Sequence, residues 1–337
     1  MSVGPRTRTL LKTSTPARRL DIAASYEALT QACVVTGDDP AKAELVSESP
    51  NHLWSLGSRS CALAIVHPDL DEAWALIKGA QFLRQHRVAV TSPYYTEARA
   101  TADGRAVTFW RDLGKPSTDT SLSAWVTALT HRIDPRTAPW LREHDPFAGL
   151  LDGLDDAPLD DPARRFLRER AARLREEWDY LDWPTPDAVV LGALGMVPVH
   201  DDGVRVGLLL RRPLRRGHRE WDLVAARWRS ELLTGAREDH RTFADTYLSY
   251  EWENQAPGHP CIGAWSGYQV VRDIVVLATV MDTVRRSRLD DGARRQAVHR
   301  LAYLRGAHPS PWNWGRDDGP NIVHSHVPHH IEKGNSP

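Results

Sequence analysis

The stretch Leu208-Leu209-Leu210-Arg211-Arg212-Pro213-Leu214-Arg215-Arg216-Gly217-His218-Arg219-Glu220-Trp221-Asp222-Leu223 decides how the chain is read. It begins on an apolar run, as a buried strand requires. It ends by opening a helical pattern from Arg219 to Leu233, in which Trp221 suits core packing and Asp222 suits a helix start. Between the two, Arg211, Arg212, Arg215 and Arg216 crowd six positions, with His218 close behind. On a strand and turn alternate side chains share a face, so two of these guanidiniums can converge on one site.

Working outward, Val189–Leu191 and Val204–Leu210 flank Asp201-Asp202-Gly203, and the turn chemistry predicts a hairpin joining them. Helical patterns are predicted at Ser121–His131, Asp161–Asp179, Tyr268–Ser287 and Gly292–Arg305. The front of the chain reads differently. A helix at Asp21–Val35 precedes short extended runs at Glu44–Val46, His52–Leu56 and Ala62–Val66. Asp71–His86 is helical, with Ala73, Leu76, Ile77, Ala80 and Leu83 on one face, and strands follow at Val88–Val90 and Ala106–Trp110. The expected architecture is α+β and two-lobed. A β-rich lobe at 21–113 meets a helical lobe at 114–315 through a hinge near 111–118, with a basic arm at 1–20 and an irregular His-rich tail at 316–337.

Composition narrows the partners. The chain has 337 residues, 41% of them hydrophobic, enough for substantial cores and too many for a wholly disordered protein. Its 43 Lys and Arg nearly cancel its 44 Asp and Glu, so no whole-protein field favours nucleic acid or an anionic membrane. Only five of the bases are lysines, which leaves arginine as the anion-binding residue. Cys33, Cys61 and Cys261 are too far apart for a C-x-x-C pair, and a sparse, odd count reads as reduced thiols in the cytoplasm. No stretch has the apolar length of a signal peptide or a membrane span.

The order of elements and certain residues resemble the aminoglycoside phosphotransferase and choline-kinase-like family, especially its actinobacterial small-molecule branch. Gly217-His218-Arg219-Glu220-Trp221-Asp222-Leu223 is similar to the G-P-R-E-W-D-L segment that opens a helix of the larger lobe there. Asp145-Pro146-Phe147-Ala148, the Arg165–Trp178 helix and the long helices after Trp265 add to the resemblance, which runs over residues 40–315. It implies a two-lobed, protein-kinase-like fold. In that family the γ-phosphoryl of a nucleotide passes to a hydroxyl, using metal ions, a carboxylate base and a cation on the inner phosphates.

The chain departs from the family at each of those groups. The catalytic loop, H-G-D-x-H-x-x-N in the family, corresponds to Leu191-Gly192-Ala193-Leu194-Gly195-Met196-Val197-Pro198. The leading His is therefore Leu191, the base Ala193 and the metal-binding Asn Pro198, none of which takes a proton or binds a metal. Counting back from Gly217, the metal-binding aspartates fall on Leu210 and Arg212. The nucleotide lysine corresponds to Ala64, and its glutamate partner to Leu76, with Glu72 one turn away.

The expectation is a repurposed phosphotransferase-fold protein of bacterial specialised metabolism that needs neither Mg-ATP nor another cofactor. Arg211, Arg212 and Arg215, with His218, are candidates for binding an anionic group in the former cleft. Such a site also suits a reaction that releases sulfate or phosphate. A solvated basic turn paired with Glu220 and Asp222 accounts for the same arginines. Glu251, Trp252 and Glu253 fall where relatives shape the acceptor pocket and suit a cationic ligand, or simply form a polar loop. His324, His326, His329 and His330 can bind a transition metal adventitiously, so no metal site is expected. Two alternatives stay open: a non-catalytic scaffold for a protein partner or for a second copy of the chain, and a residual phosphotransferase with relocated catalytic groups.

Overall fold

A computed structural model describes residues 22–48, 51–57, 62–114, 116–232, 237–252, 262–288 and 291–307. The basic arm, the His-rich tail, Cys61, Cys261 and Glu253 lie outside the described residues.

The first lobe is an antiparallel sheet of β1 (Glu44–Ser47), β2 (His52–Ser55), β3 (Ala62–His67), β4 (Arg99–Ala100) and β5 (Ala106–Arg111), in the order β1-β2-β3-β5-β4. One helix covers each face. Helix α1 (Ile22–Thr36) lies over Trp54, Ala62, Ala64, Val66, Val107 and Phe109. Helix α2 (Leu70–Gln85) packs with Leu53, Leu63, Ile65, Ala106 and Trp110 on the other face. The period-2 alternation of β3 therefore sorts its side chains between two cores. Asp69 caps α2 by accepting the Glu72 N–H at 2.7 Å.

The second lobe is helical: α3 (Thr120–His131), α4 (Asp161–Asp179), α5 (Glu220–Leu232), α6 (Arg237–Trp252), α7 (Tyr268–Arg286) and α8 (Asp291–Leu304). Asp160 accepts the Ala163 N–H at the start of α4, and Pro162 sits in the first turn, where its missing N–H costs nothing. One core joins α4, α5, α7 and α8 through Leu167, Leu174, Trp221, Trp228, Ile274, Met281 and Leu301.

Two small strand pairs complete the lobe, and here the expected hairpin is corrected. β6 (Ala188–Val190) pairs with β9 (Arg215–Gly217), while the turn at Asp201-Asp202-Gly203 joins β7 (Val199–Asp201) to β8 (Val206–Leu208). The Asp202 carboxylate accepts the Val204 and Arg205 N–H groups, so the turn is locally satisfied. Val88–Val90, expected as a strand, makes a single parallel bridge from Val90 to Leu208. Helix α6 was not apparent in the sequence, because it is polar around most of its circumference and buries Phe243 and Tyr247.

Candidate functional site

The segment 209–214 runs along the seam between the lobes. Leu210 is 3% exposed and joins a core containing Leu76, Ile77 and Ala80 of α2. Gly79 makes this approach possible, since a Cβ there would lie 3.2 Å from Leu214 Cγ. Helical glycine destabilises, so its presence marks the close contact.

Arg211 reaches across the seam. Its Nη2 donates to the Asn51 carbonyl at 2.5 Å, in the turn between β1 and β2. Asn51 Nδ2 in turn donates to Glu72 Oε1 at 2.9 Å, and His67 Nε2 shares a hydrogen bond of 2.9 Å with Thr108 Oγ1. Burial, then the charge of Arg211, pushes the His67 imidazole down to about 3, so it is neutral at ordinary pH. Burial and the neighbouring Arg212 charge lower Arg211 to about 9, which leaves it cationic at neutral pH.

Arg212 is exposed to solvent, although many protein atoms stand around it. Among the described residues it makes no hydrogen bond or ion pair. Desolvation lowers its proton affinity most; Asp282 and Glu72 oppose this, while Arg285 and Arg215 add to it. Arg215 on β9 is likewise depressed by desolvation and by Arg142, with Glu72 opposing. Arg142, Arg211, Arg212, Arg215 and Arg285 thus act on one another at the seam, with Glu72 and Asp282 opposing. Glu220 and Asp222 do not neutralise these arginines. Both oxygens of Glu220 accept the Thr185 hydroxyl, and Asp222 is turned to backbone.

Behind the seam lies the loop that begins at Leu191. The Asp222 carboxylate accepts the Leu191 N–H at 2.8 Å and the Gly192 N–H at 3.0 Å. His131 Nε2 donates to the same carboxylate at 3.0 Å, and its Nδ1 shares a hydrogen bond of 2.9 Å with the Tyr247 hydroxyl. Leu191 is buried, Ala193 packs beside the core of the seam, and Pro198 is exposed. His144 stands over Gly192, its ring 4.6 Å from that of Trp221. Desolvation first, and then Arg215 and Arg212, lower it to about 4, with Asp222 and Asp145 opposing.

The structure gathers Arg212 and Arg215 at one seam and sends their neighbours elsewhere. Arg216 pairs with Glu143 at 2.7 Å, and His218 stacks on Trp183 with ring centroids 4.2 Å apart. Glu251 and Trp252 are the last two residues of α6. Ala64 does not face the seam: it belongs to the core under α1, and the strand alternation instead puts Leu63, Ile65 and His67 on the α2 side. Glu72, not Leu76, is the α2 residue with a polar role there. His131, His144 and Tyr247 carry no motif, and their partners lie 91 and 116 positions away in the His131 network.

Leu210 and Arg212, which the resemblance sets at the metal positions, offer a divalent cation no oxygen ligand. Leu210 is sealed in an apolar core, and Arg212 brings a positive charge where oxygen ligands are needed. Among the described residues no three His, Cys, Asp or Glu side chains converge on a metal position, and no helix is long and apolar enough to cross a membrane.

No family model matches the chain, and no curated protein is similar to it in sequence. Solved structures are similar in fold. An amicoumacin kinase in complex with AMP-PNP and Ca2+ superposes with a TM-score of 0.59 at 12% identity, over 87% of this chain and 97% of that one. A choline/ethanolamine kinase family protein from Mesorhizobium loti gives 0.54 at 12% identity, over 85% and 95%. An aminoglycoside phosphotransferase from Streptomyces rimosus gives 0.50 at 18% identity, over 73% and 97%. At such identities the likeness speaks for architecture alone. The chain has the two-lobed, kinase-like α+β fold of the aminoglycoside phosphotransferases and choline kinases.

Proposed function

We propose that this chain binds an anionic small molecule at the seam between its lobes, holding a phosphate, sulfate or carboxylate group directly on Arg212 and Arg215. The observation that carries this reading is the Arg212 side chain, open to solvent, set among protein atoms and without a hydrogen bond or ion pair among the described residues. A desolvated guanidinium is stabilised by an anion more strongly than one in bulk water, and its planar fork suits oxyanions. On this reading the phosphotransferase fold is retained while Ala193, Pro198, Leu210 and Arg212 replace the groups that phosphoryl transfer needs.

A thermal-shift screen tests it. Sulfate, phosphate and small anionic metabolites should each raise the melting temperature in a concentration-dependent way, and Arg212→Ala should abolish the rise. A magnesium-dependent rise with ATP that survives Arg212→Ala would favour the residual phosphotransferase instead. Absence of any small-molecule shift, together with a defined protein complex or dimer in solution, would favour the scaffold.

A further inference from the structure

Glu72 keeps one carboxylate oxygen unused beside the seam arginines. It stands in the first turn of α2, three residues after the Asp69 cap, where a glutamate ordinarily folds back on the cap N–H. Here Oε1 instead accepts Asn51 Nδ2 at 2.9 Å, and Arg211 Nη2 fixes the Asn51 carbonyl at 2.5 Å. Oε2 accepts no hydrogen bond and enters no ion pair among the described residues. The face of α2 that carries Glu72 continues through Leu76 to Gly79, which packs against Leu210 and Leu214 on either side of Arg212. Glu72 is thus set toward the segment that bears Arg212, and its charge acts on both Arg212 and Arg215. Yet neither guanidinium makes a hydrogen bond or ion pair among the described residues. Asp282 also acts on Arg212, but it is paired with Arg286 at 3.7 Å.

We propose that the seam takes a dipolar small molecule, whose anionic group rests on Arg212 and Arg215 while an ammonium a few bonds away rests on Glu72. This rests on the binding reading above and adds the class of ligand. A plain anion drawn to the two arginines meets Glu72 as a like charge. An ammonium on the same molecule turns that repulsion into a charge-assisted hydrogen bond to Oε2. Charges that lose water without gaining a partner are costly, so a ligand carrying both signs satisfies the carboxylate and the guanidiniums together. Small aminosulfonates, amino phosphates and amino acids share that chemistry.

Calorimetric titration of the full-length protein with matched sulfonates tests it. Taurine and propane-1-sulfonate have the same shape and differ by an ammonium in place of a methyl. 3-Aminopropane-1-sulfonate with butane-1-sulfonate, and 4-aminobutane-1-sulfonate with pentane-1-sulfonate, lengthen the spacing by one methylene at a time. The best of the three aminosulfonates should bind at least about fivefold more tightly than its match. Glu72→Gln keeps an acceptor for Asn51 and removes the charge. It should erase that preference, weakening the aminosulfonate and strengthening its match. Arg212→Ala should abolish binding of both. Should Glu72→Gln fail to fold, Glu72→Asp keeps the charge and draws it back by one methylene, so it should move the preference toward longer spacing.

If none of the sulfonates binds, the anion site itself fails and the dipolar ligand fails with it. If the alkanesulfonates bind in a way that Arg212→Ala abolishes, while no aminosulfonate is favoured over its match, the anion site stands and the dipolar ligand is overturned. A preference of the same size in Glu72→Gln, or one whose spacing does not move in Glu72→Asp, would put the ammonium on another group and overturn the role of Glu72.

Discussion

The two sides of the loop at Leu191 are built on opposite terms. Its rear is held through backbone: Asp222 accepts two main-chain N–H groups and one from His131, which is braced by Tyr247. Its front consists of side chains without that role, since Ala193 only touches the core, Pro198 is exposed and Arg212 is unpaired among the described residues. A buried carboxylate that satisfies main-chain donors is expensive to remove, whereas a side chain facing a cleft can be exchanged with little effect on folding. Fold and reactivity can therefore separate at one loop.

The sharpest way to break this contrast is Asp222→Ala. It would leave the Leu191 and Gly192 N–H groups and His131 Nε2 without an acceptor in a buried place. The expected loss is about 3–5 kcal/mol in urea unfolding. A loss under about 1 kcal/mol would mean that the rear of the loop is not held as described.

Acid is the next largest effect, because neutral histidines lie on both sides: buried His67 at the seam and half-buried His144 over Gly192. Both have native values below the ordinary 6.5, at about 3 and about 4. As pH falls below 6.5 the unfolded chain takes up protons that the native chain refuses, so stability is present above that value and is lost on the way down. Each histidine contributes a slope of about 1.4 kcal/mol per pH unit within its window. Urea midpoints between pH 7 and 5 should fall accordingly, and less steeply in His67→Gln. An unaltered slope in that variant would place the acid sensitivity elsewhere.

Tyr247→Phe removes the brace and leaves its ring packing. It should cost about 1 kcal/mol in the same assay, well short of the Asp222 effect. Smallest of all, Arg212→Ala should change stability in plain buffer by less than about 0.5 kcal/mol, or raise it by relieving repulsion. A large loss from that variant would mean that the front of the loop is structural after all, and the contrast would fail.

What could be read from the chain follows the same division. The amphipathic helices were legible because their faces recur at regular spacing, and Asp161–Asp179 matches α4 residue for residue. The pairing of Val189 with Arg216 was not legible, because a three-residue strand carries too little periodicity to name its partner, and Asp201-Asp202-Gly203 drew the hairpin to itself. The resemblance sets Ala64 at the nucleotide-lysine position, although the alternation of β3 turns it toward α1. That error is the cost of a one-residue shift in a strand, which reverses every face. At the site, the arginine cluster was visible in the sequence. The assignment of Arg211 to Asn51 and of Asp222 to the Leu191 loop needed the fold, since each joins segments distant along the chain.

The bridge at Val90 has a last consequence. Thr91 N–H donates to the Leu208 carbonyl, Leu208 N–H to the Ala89 carbonyl, and Ser117 N–H to the Val199 carbonyl, so the β7–β8 hairpin is stitched to chain on both sides of β5. Gly207 permits this, because a Cβ there would stand 2.9 Å from Thr91 N. Covalent continuity near Leu113 is then only one of several ties between the halves. A protein cut at that point, or expressed as two polypeptides, should still assemble into one particle.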